Sequence, residues 1–197
     1  MGKFVVKDRF YNKAKQEGFR ARSAYKLKEI QDKFHLIKKG DKVLDLGCAP
    51  GSFLQILSGI IGERGHAFGV DILPTPPLPA ANVSTTSADI RAVDVKNVLA
   101  DLSLDHFDVI TCDIAPNLSG IRDVDNANIE NLFEAVLKIV REGVKPGGTF
   151  IFKSFFTGTL KNITVELQKV FGKVSLYKPT ASRSASAEVY LICTGKK

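Results

Sequence analysis

The 197-residue sequence has no tryptophan, one methionine and three cysteines, and none of its apolar runs approaches the length of a membrane span. Cys48, Cys112 and Cys193 are widely separated, with no Cys-x-x-Cys spacing and no histidine beside them. That pattern argues against a disulfide framework or a zinc site, and buried reduced thiols are expected. No metal is expected. The first residues lack the apolar stretch of a secretory signal, and Asp8 and Glu17 do not suit a transit peptide. We expect one cytoplasmic domain over residues 1–197, able to bury a core unaided.

Acidic residues are scarce in one region. From Met1 to Lys42, 13 Lys/Arg face 5 Asp/Glu, a balance of +8, while the other 155 residues hold 15 against 16, a balance of −1. All of the net +7 charge thus lies in the first fifth of the chain. A solvated basic face is the plain explanation, but segregation this complete favours a polyanion such as RNA or DNA. Between Lys3 and Arg22 the bases interleave with Phe4, Phe10, Tyr11 and Phe19. Charges of that kind hold phosphates, while aromatics pack on the body or stack on bases. A helix capped by Ser23 is expected to run to about Phe34, burying Ala24, Leu27, Ile30 and Phe34. Lys26 flanks that stripe.

Downstream, short apolar runs alternate with helical patterns. Strands are expected at 42–46, 67–70, 82–87, 107–112, 149–152, 173–177 and 188–193. Helices are expected at about 52–61, 93–102, 129–140 and 160–171, with 118–125 a loop. Pro74-Thr-Pro-Pro-Leu-Pro79 is too proline-rich for helix or central strand. Alternation of this kind implies a mostly parallel sheet covered by helices on both faces. Only about ten residues separate the last two strands, too few for a parallel crossover, so the sheet should end in an antiparallel pair.

Parallel strands bring their carboxyl ends to one rim, where open α/β sheets bind ligands. Gly47, Asp71, Asp89, Asp113 and Lys153 should share that rim, and an antiparallel last strand adds Glu188. The turn Gly47-Cys-Ala-Pro-Gly51 lacks the middle glycine of a dinucleotide fingerprint, and Pro50 removes a backbone donor. This counts against a nicotinamide-dependent oxidoreductase. Asp71 is placed to accept from ribose hydroxyls and Asp89 to reach an adenine amino group. A nucleoside without pyrophosphate fits, and S-adenosylmethionine is the commonest of that kind. Each acid alone is more often a cap or turn residue. A buried lysine at Lys153 requires a carboxylate, and an ion pair with Glu188 is the bland explanation of both residues.

Five motifs in order make the resemblance specific: Arg20-Ala-Arg-Ser-Ala-Tyr-Lys-Leu, Asp45-Leu-Gly-Cys-Ala-Pro-Gly, Cys112-Asp-Ile-Ala-Pro-Asn-Leu-Ser-Gly, Lys145-Pro-Gly-Gly-Thr-Phe-Ile-Phe-Lys153 and Ser182-Arg-Ser-Ala-Ser-Ala-Glu-Val-Tyr190. With these, nearly the whole chain resembles the FtsJ-like RNA ribose 2'-O-methyltransferases. The resemblance implies a Rossmann-like class I S-adenosylmethionine-dependent methyltransferase fold, with a mostly parallel seven-stranded sheet and an antiparallel terminal strand. It places a catalytic tetrad on Lys26, Asp113, Lys153 and Glu188. Cofactor contacts are expected around Gly47, Pro50, Gly51, Ser52, Phe53, Asp71, Asp89 and Asp113; many members carry tryptophan where Phe53 stands. RNA contacts are expected at Arg20, Arg22, Lys26 and Arg183, with residues 1–41 as a basic RNA-binding arm and helix.

The implied reaction is methyl transfer to a ribose 2'-hydroxyl, with Lys153 as either the base or a cation that stabilises the alkoxide. A uridine in large-subunit ribosomal RNA, within a subunit or assembly particle, is the expected target of a monomeric enzyme. Transfer RNA is the alternative substrate, and a non-catalytic ribosome-assembly factor the alternative class.

Overall fold

The computed structural model describes residues 9–115, 119–183 and 186–197. Residues 1–8 of the basic arm, 116–118 of the Asp113 motif and 184–185 of the Ser182 motif lie outside them. Among the described residues the strands are β1 (Lys42–Leu46), β2 (His66–Asp71), β3 (Val83–Ser87), β4 (Phe107–Cys112), β5 (Val144–Phe155), β6 (Phe171–Tyr177) and β7 (Glu188–Lys196). They form one sheet in the order β3-β2-β1-β4-β5-β7-β6. Strands β1 to β5 pair in parallel, and β7 is antiparallel to both β5 and β6. The short β6–β7 link therefore produces the antiparallel pair expected of it. The strand that comes last in sequence lies inside the sheet.

The helices are α1 (Arg9–Gln16), α2 (Ala24–Phe34), α3 (Ser52–Ile61), α4 (Val95–Asp101), α5 (Arg122–Gly143) and α6 (Leu160–Val170). Strand alternation sends neighbouring side chains to opposite faces. Val43, Val109 and Ile151 meet Leu27 and Ile30 of α2 and Phe53, Leu54 and Leu57 of α3. Leu44, Ile110 and Phe150 meet Leu99 of α4, Val136 and Val140 of α5, and Leu167 of α6 on the other side. Each fully buried leucine or isoleucine contributes roughly 1.5–3 kcal/mol, so Leu27 and Ile30 hold α2, and with it Lys26, firmly on the sheet. The three cysteines are free and buried. Burial pushes the Cys48 and Cys112 thiols up to about 12, which keeps them unreactive.

Several boundaries differ from the pattern-based expectation. Helix α5 begins at Arg122 rather than Ile129, inside the stretch expected to be a loop. The Asp125 carboxylate accepts from the Ser119 N–H (2.6 Å), the Ser119 hydroxyl (2.8 Å) and the Gly120 N–H (3.1 Å). These bonds tether the preceding turn, so a segment of loop composition continues as helix. Strand β5 extends to Phe155, two residues past Lys153, because Phe155 pairs with Glu188 across to β7. A short 3₁₀ turn, Ile90–Ala92, capped by Asp89, delays α4 to Val95.

The arm also contains helix α1. Phe10 and Phe19 pack against Tyr25, with ring centroids 5.6 and 5.5 Å away. Together with Ala14 and Ala181 they form a small separate core. Of the arm's described aromatics, Tyr11 remains exposed.

Candidate active site

Asp113 follows the end of β4, Lys153 lies near the end of β5 and Glu188 opens β7, so the parallel-then-antiparallel topology gathers them on one rim. Lys26 reaches the rim from α2. Two ion pairs result. Lys153 Nζ lies 3.1 Å from Asp113 Oδ1 and donates to the Asp113 carbonyl at 2.5 Å. Lys26 Nζ lies 2.7 Å from each Glu188 carboxylate oxygen. Lys153 and Glu188 are thus not paired with each other, as the plain explanation of both would have it: each lysine has its own acid, because α2 delivers Lys26 directly over Glu188. Lys26, Lys153 and Glu188 are all buried, with 6%, 7% and 8% exposure, so the pairing offsets a desolvation cost that isolated charges could not meet.

Two further side chains orient this set. Ser182 donates to Glu188 Oε1 at 2.7 Å, and the fully buried Tyr190 donates to Asp113 Oδ1 at 2.5 Å. Burial alone would raise the Glu188 carboxyl, but Lys26, Ser182 and the charge of Lys153 outweigh it and hold the group below its ordinary value. Tyr190 is pushed well above the usual tyrosine range by burial and by the neighbouring acids, so it acts as a donor.

Beside the tetrad a cleft of about 630 Å³ runs along the rim. Gly47, Asp71, Asp89 and Asp113 line it, together with the apolar side chains of Ile72 and Ile90. Gly47 has φ +78°, and a Cβ there would stand 2.3 Å from Ile114 Cγ1, so the turn approaches the end of β4 as closely as only glycine permits. Asp71 accepts from the Ala49 N–H through Oδ2 and from the Leu73 N–H through Oδ1, both at 2.9 Å. Asp89 is engaged by Arg91 through Nε and Nη2 and is held down at about 2, chiefly by those bonds.

Pro50, Gly51, Ser52 and Phe53 do not line this cleft. The Ser52 hydroxyl meets that of Ser23 (2.7 Å), and the Phe53 ring packs in the α2–α3 core. A cleft walled by three acids repels a pyrophosphate but suits a nucleoside with a positively charged tail. Another groove, of about 570 Å³ between α5 and α6, contains none of the rim residues.

A family model described as FtsJ-like methyltransferase matches residues 19–196. The chain belongs to this family. FtsJ-like proteins are S-adenosylmethionine-dependent methyltransferases, and this chain is one of them. It is 44% identical over 191 residues to a Methanothrix thermoacetophila protein named ribosomal RNA large subunit methyltransferase E, covering 97% of this chain and 72% of the relative. A Myxococcus xanthus protein of the same name is 40% identical, with 98% and 91% covered. A Plasmodium falciparum crystal structure, provisionally assigned as a ribosomal RNA methyltransferase, superposes with a TM-score of 0.79 at 26% identity, covering 90% of this chain and 98% of that one. Aeropyrum pernix fibrillarin, solved with S-adenosylmethionine, shares the fold at 18% identity and a TM-score of 0.60, with 87% and 73% covered.

The RNA contacts expected of an FtsJ-like arm divide into three groups. Lys26 is occupied by Glu188. Arg20 donates to the carbonyls of Pro50, Pro76 and Pro77. Arg22 and Arg183 sense each other's charge: burial first, and then the charge of Arg183, lowers the Arg22 guanidinium, while Glu188 opposes the shift. Two like charges beside the tetrad suit a phosphate. The roles of Tyr190 and Ser182 were not assigned from sequence. Tyr190 stands two residues after Glu188 on one strand, a spacing that puts both on the same face.

Proposed function

We propose that the chain transfers a methyl group from S-adenosylmethionine to a ribose 2'-hydroxyl of RNA, with a uridine of large-subunit ribosomal RNA in a subunit or assembly particle as target. The observation that carries this reading is the double use of Asp113. It walls the acidic nucleoside-sized cleft, and it also holds Lys153 at 3.1 Å. A methyl donor in the cleft and a hydroxyl at Lys153 would then meet at one residue. The relatives named for large-subunit ribosomal RNA support that substrate.

In the cleft Asp71 would receive the ribose hydroxyls, Ile72 and Ile90 would flank the base, and Gly47 and Asp113 would face the amino-acid end. Bound there, S-adenosylmethionine supplies a methyl carbon on a positively charged sulfur. Lys153 donates to the Asp113 carbonyl and lies 3.1 Å from its carboxylate. As a positioned cation it would stabilise the 2'-oxygen while the oxygen–carbon bond forms, the carbon–sulfur bond breaks to leave S-adenosylhomocysteine, and the hydroxyl proton passes to water. Tyr190 fixes Asp113, and Lys26 with Ser182 fixes Glu188 at the mouth. Arg22 and Arg183 would hold a backbone phosphate of the target strand.

In this reading residues 1–41 form the RNA-binding arm of a single methyltransferase domain that works as a cytoplasmic monomer. The test is to map 2'-O-methylated nucleotides in RNA from cells with and without the gene. One large-subunit position should lose its methyl group. Loss confined to transfer RNA would reassign the substrate, and no loss in any RNA would refute the reading.

A further inference from the structure

Arg20 belongs to the arm whose charge points to RNA, yet its guanidinium is directed at the protein. Nη1 donates to the carbonyls of Pro50 (2.9 Å) and Pro76 (2.5 Å), and Nη2 to that of Pro77 (2.6 Å). Pro50 lies in the cofactor turn. Pro76 and Pro77 lie in the proline-rich loop that follows Ile72 and Leu73, both residues of the cleft wall. One side chain therefore bridges the turn whose Gly47 and Ala49 line the cleft and the loop that continues from its Ile72 and Leu73.

Such a loop needs an external anchor. Its prolines have no N–H to donate, so their carbonyls are what it offers for fastening. The backbone around Arg20 is itself fixed to α3. Its N–H donates to Gln55 Oε1 at 2.9 Å, Gln55 Nε2 donates to the Gly18 carbonyl at 3.0 Å, and the Ser23 and Ser52 hydroxyls meet at 2.7 Å. Gly51 leaves room for the guanidinium, since a Cβ there would stand 2.9 Å from Arg20 Nη1. The Cys48 thiol and Thr75 hydroxyl, 3.3 Å apart, add a smaller link between turn and loop. A planar fork can serve three carbonyls at once, and a lysine ammonium at the end of a flexible stem cannot reproduce that geometry.

We propose that Arg20 is a positioning residue for the methyl donor, a latch that fastens the proline-rich loop to the cofactor turn and so sets the cleft wall at Ile72 and Leu73. The proposal rests on the donor cleft assigned above. Because the latch is carried by the arm, the donor site is complete only when the arm is docked.

Wild type, Arg20→Lys and Arg20→Ala are titrated calorimetrically with S-adenosylhomocysteine, and their binding to a uridine-rich single-stranded RNA is measured across a salt series. Arg20→Lys keeps the charge but loses the fork. A latch predicts that its affinity for S-adenosylhomocysteine falls about five- to tenfold. The KM for S-adenosylmethionine should rise by more than kcat falls, and the RNA salt slope should stay at the wild-type value. Arg20→Ala should lose still more donor affinity. The proposal is overturned if Arg20→Lys matches wild type in donor affinity, or if Arg20→Ala lowers the salt slope by about 0.7 while donor affinity is unchanged. If Arg20→Ala does not fold, Arg20→Lys decides alone. A wild-type chain that fails to bind S-adenosylhomocysteine refutes the donor cleft, whereas normal wild-type binding with an unaffected Arg20→Lys refutes only the latch.

Discussion

Lys26 and Glu188 are 162 positions apart, yet the Lys26 ammonium sits 2.7 Å from both oxygens of the Glu188 carboxylate. This pair closes the rim and has a stability signature of its own. The Glu188 carboxyl is held below its ordinary value in the fold, so its contribution is present at neutral pH and is lost as pH falls below about 4.3. Glu188→Ala leaves Lys26 buried without its acid, which should cost on the order of 3–5 kcal/mol at pH 7. Urea unfolding at pH 7 and pH 3.5 should show the difference from wild type shrinking at the lower pH. An equal difference at both would dissociate Glu188 from the ion pair.

Lys153→Ala should reduce methyl transfer on the order of 10²–10⁴-fold while S-adenosylhomocysteine binding changes less than about twofold. The cleft is lined by Asp71, Asp89 and Gly47, and it does not include Lys153. Incorporation of labelled methyl into RNA, together with calorimetry, measures both quantities. Near-normal turnover would remove Lys153 from the reaction. Glu188→Ala should impair turnover less, since Glu188 orients rather than faces the reacting oxygen.

Asp45 is fully buried in β1 and accepts from the Thr111 hydroxyl at 2.6 Å, while its Oδ2 has no hydrogen-bond partner among the described residues. Burial pushes this carboxyl up to about 8, with Asp113 and Asp71 adding to the shift and Thr111 opposing it. A folded-state pKa raised above the unfolded value means stability that is full below about pH 4 and is lost as pH rises toward 8. Asp45→Asn mimics the neutral acid and cannot ionise. Relative to wild type, the variant should gain on the order of a few kcal/mol between pH 5 and pH 8 in denaturant unfolding. A pH-independent difference would show that Asp45 does not titrate in this range.

Arg22, in the arm, and Arg183, in the β6–β7 connection, sense each other's charge. Substituting either with alanine should weaken binding to single-stranded RNA and lower the slope of log affinity against log salt by about 0.7. Donor affinity should stay within about twofold of wild type. Binding isotherms from low to physiological salt test this, and unchanged slopes would make the pair a solvated basic face.

The rim was legible in the sequence because it depends on topology. Asp71, Asp113 and Lys153 mark strand ends, and the short β6–β7 link carries Glu188 to the same edge. The pairing within the rim was not legible. It depends on how α2 is turned, which brings Lys26 over Glu188, and on a β5–β7 register that sets Tyr190 opposite Lys153. The orientation of Ser52 and Phe53 was not legible for a related reason: the motif marks a turn and helix, but packing against α2 decides which side chains face inward. Asp89 is bound by Arg91 two residues away, a local competition that strand endings do not reveal. In α5 the tether from Asp125 overrode loop-like composition.

The position of β7 between β5 and β6 also bears on how the chain folds. Until β7 enters, β5 and β6 are separated by a slot one strand wide and have no hydrogen-bonding partner in common. Entry pairs Tyr177 with Tyr190, 13 positions apart, and Phe155 with Glu188, 33 positions apart, so the β5–β7 pairing closes the longer loop. The same entry delivers Glu188 to Lys26 and Tyr190 to Asp113. The β5–β7 pairing and the Lys26–Glu188 and Tyr190–Asp113 contacts therefore depend on the same strand, so a chain in which β7 has not paired would lack both contacts.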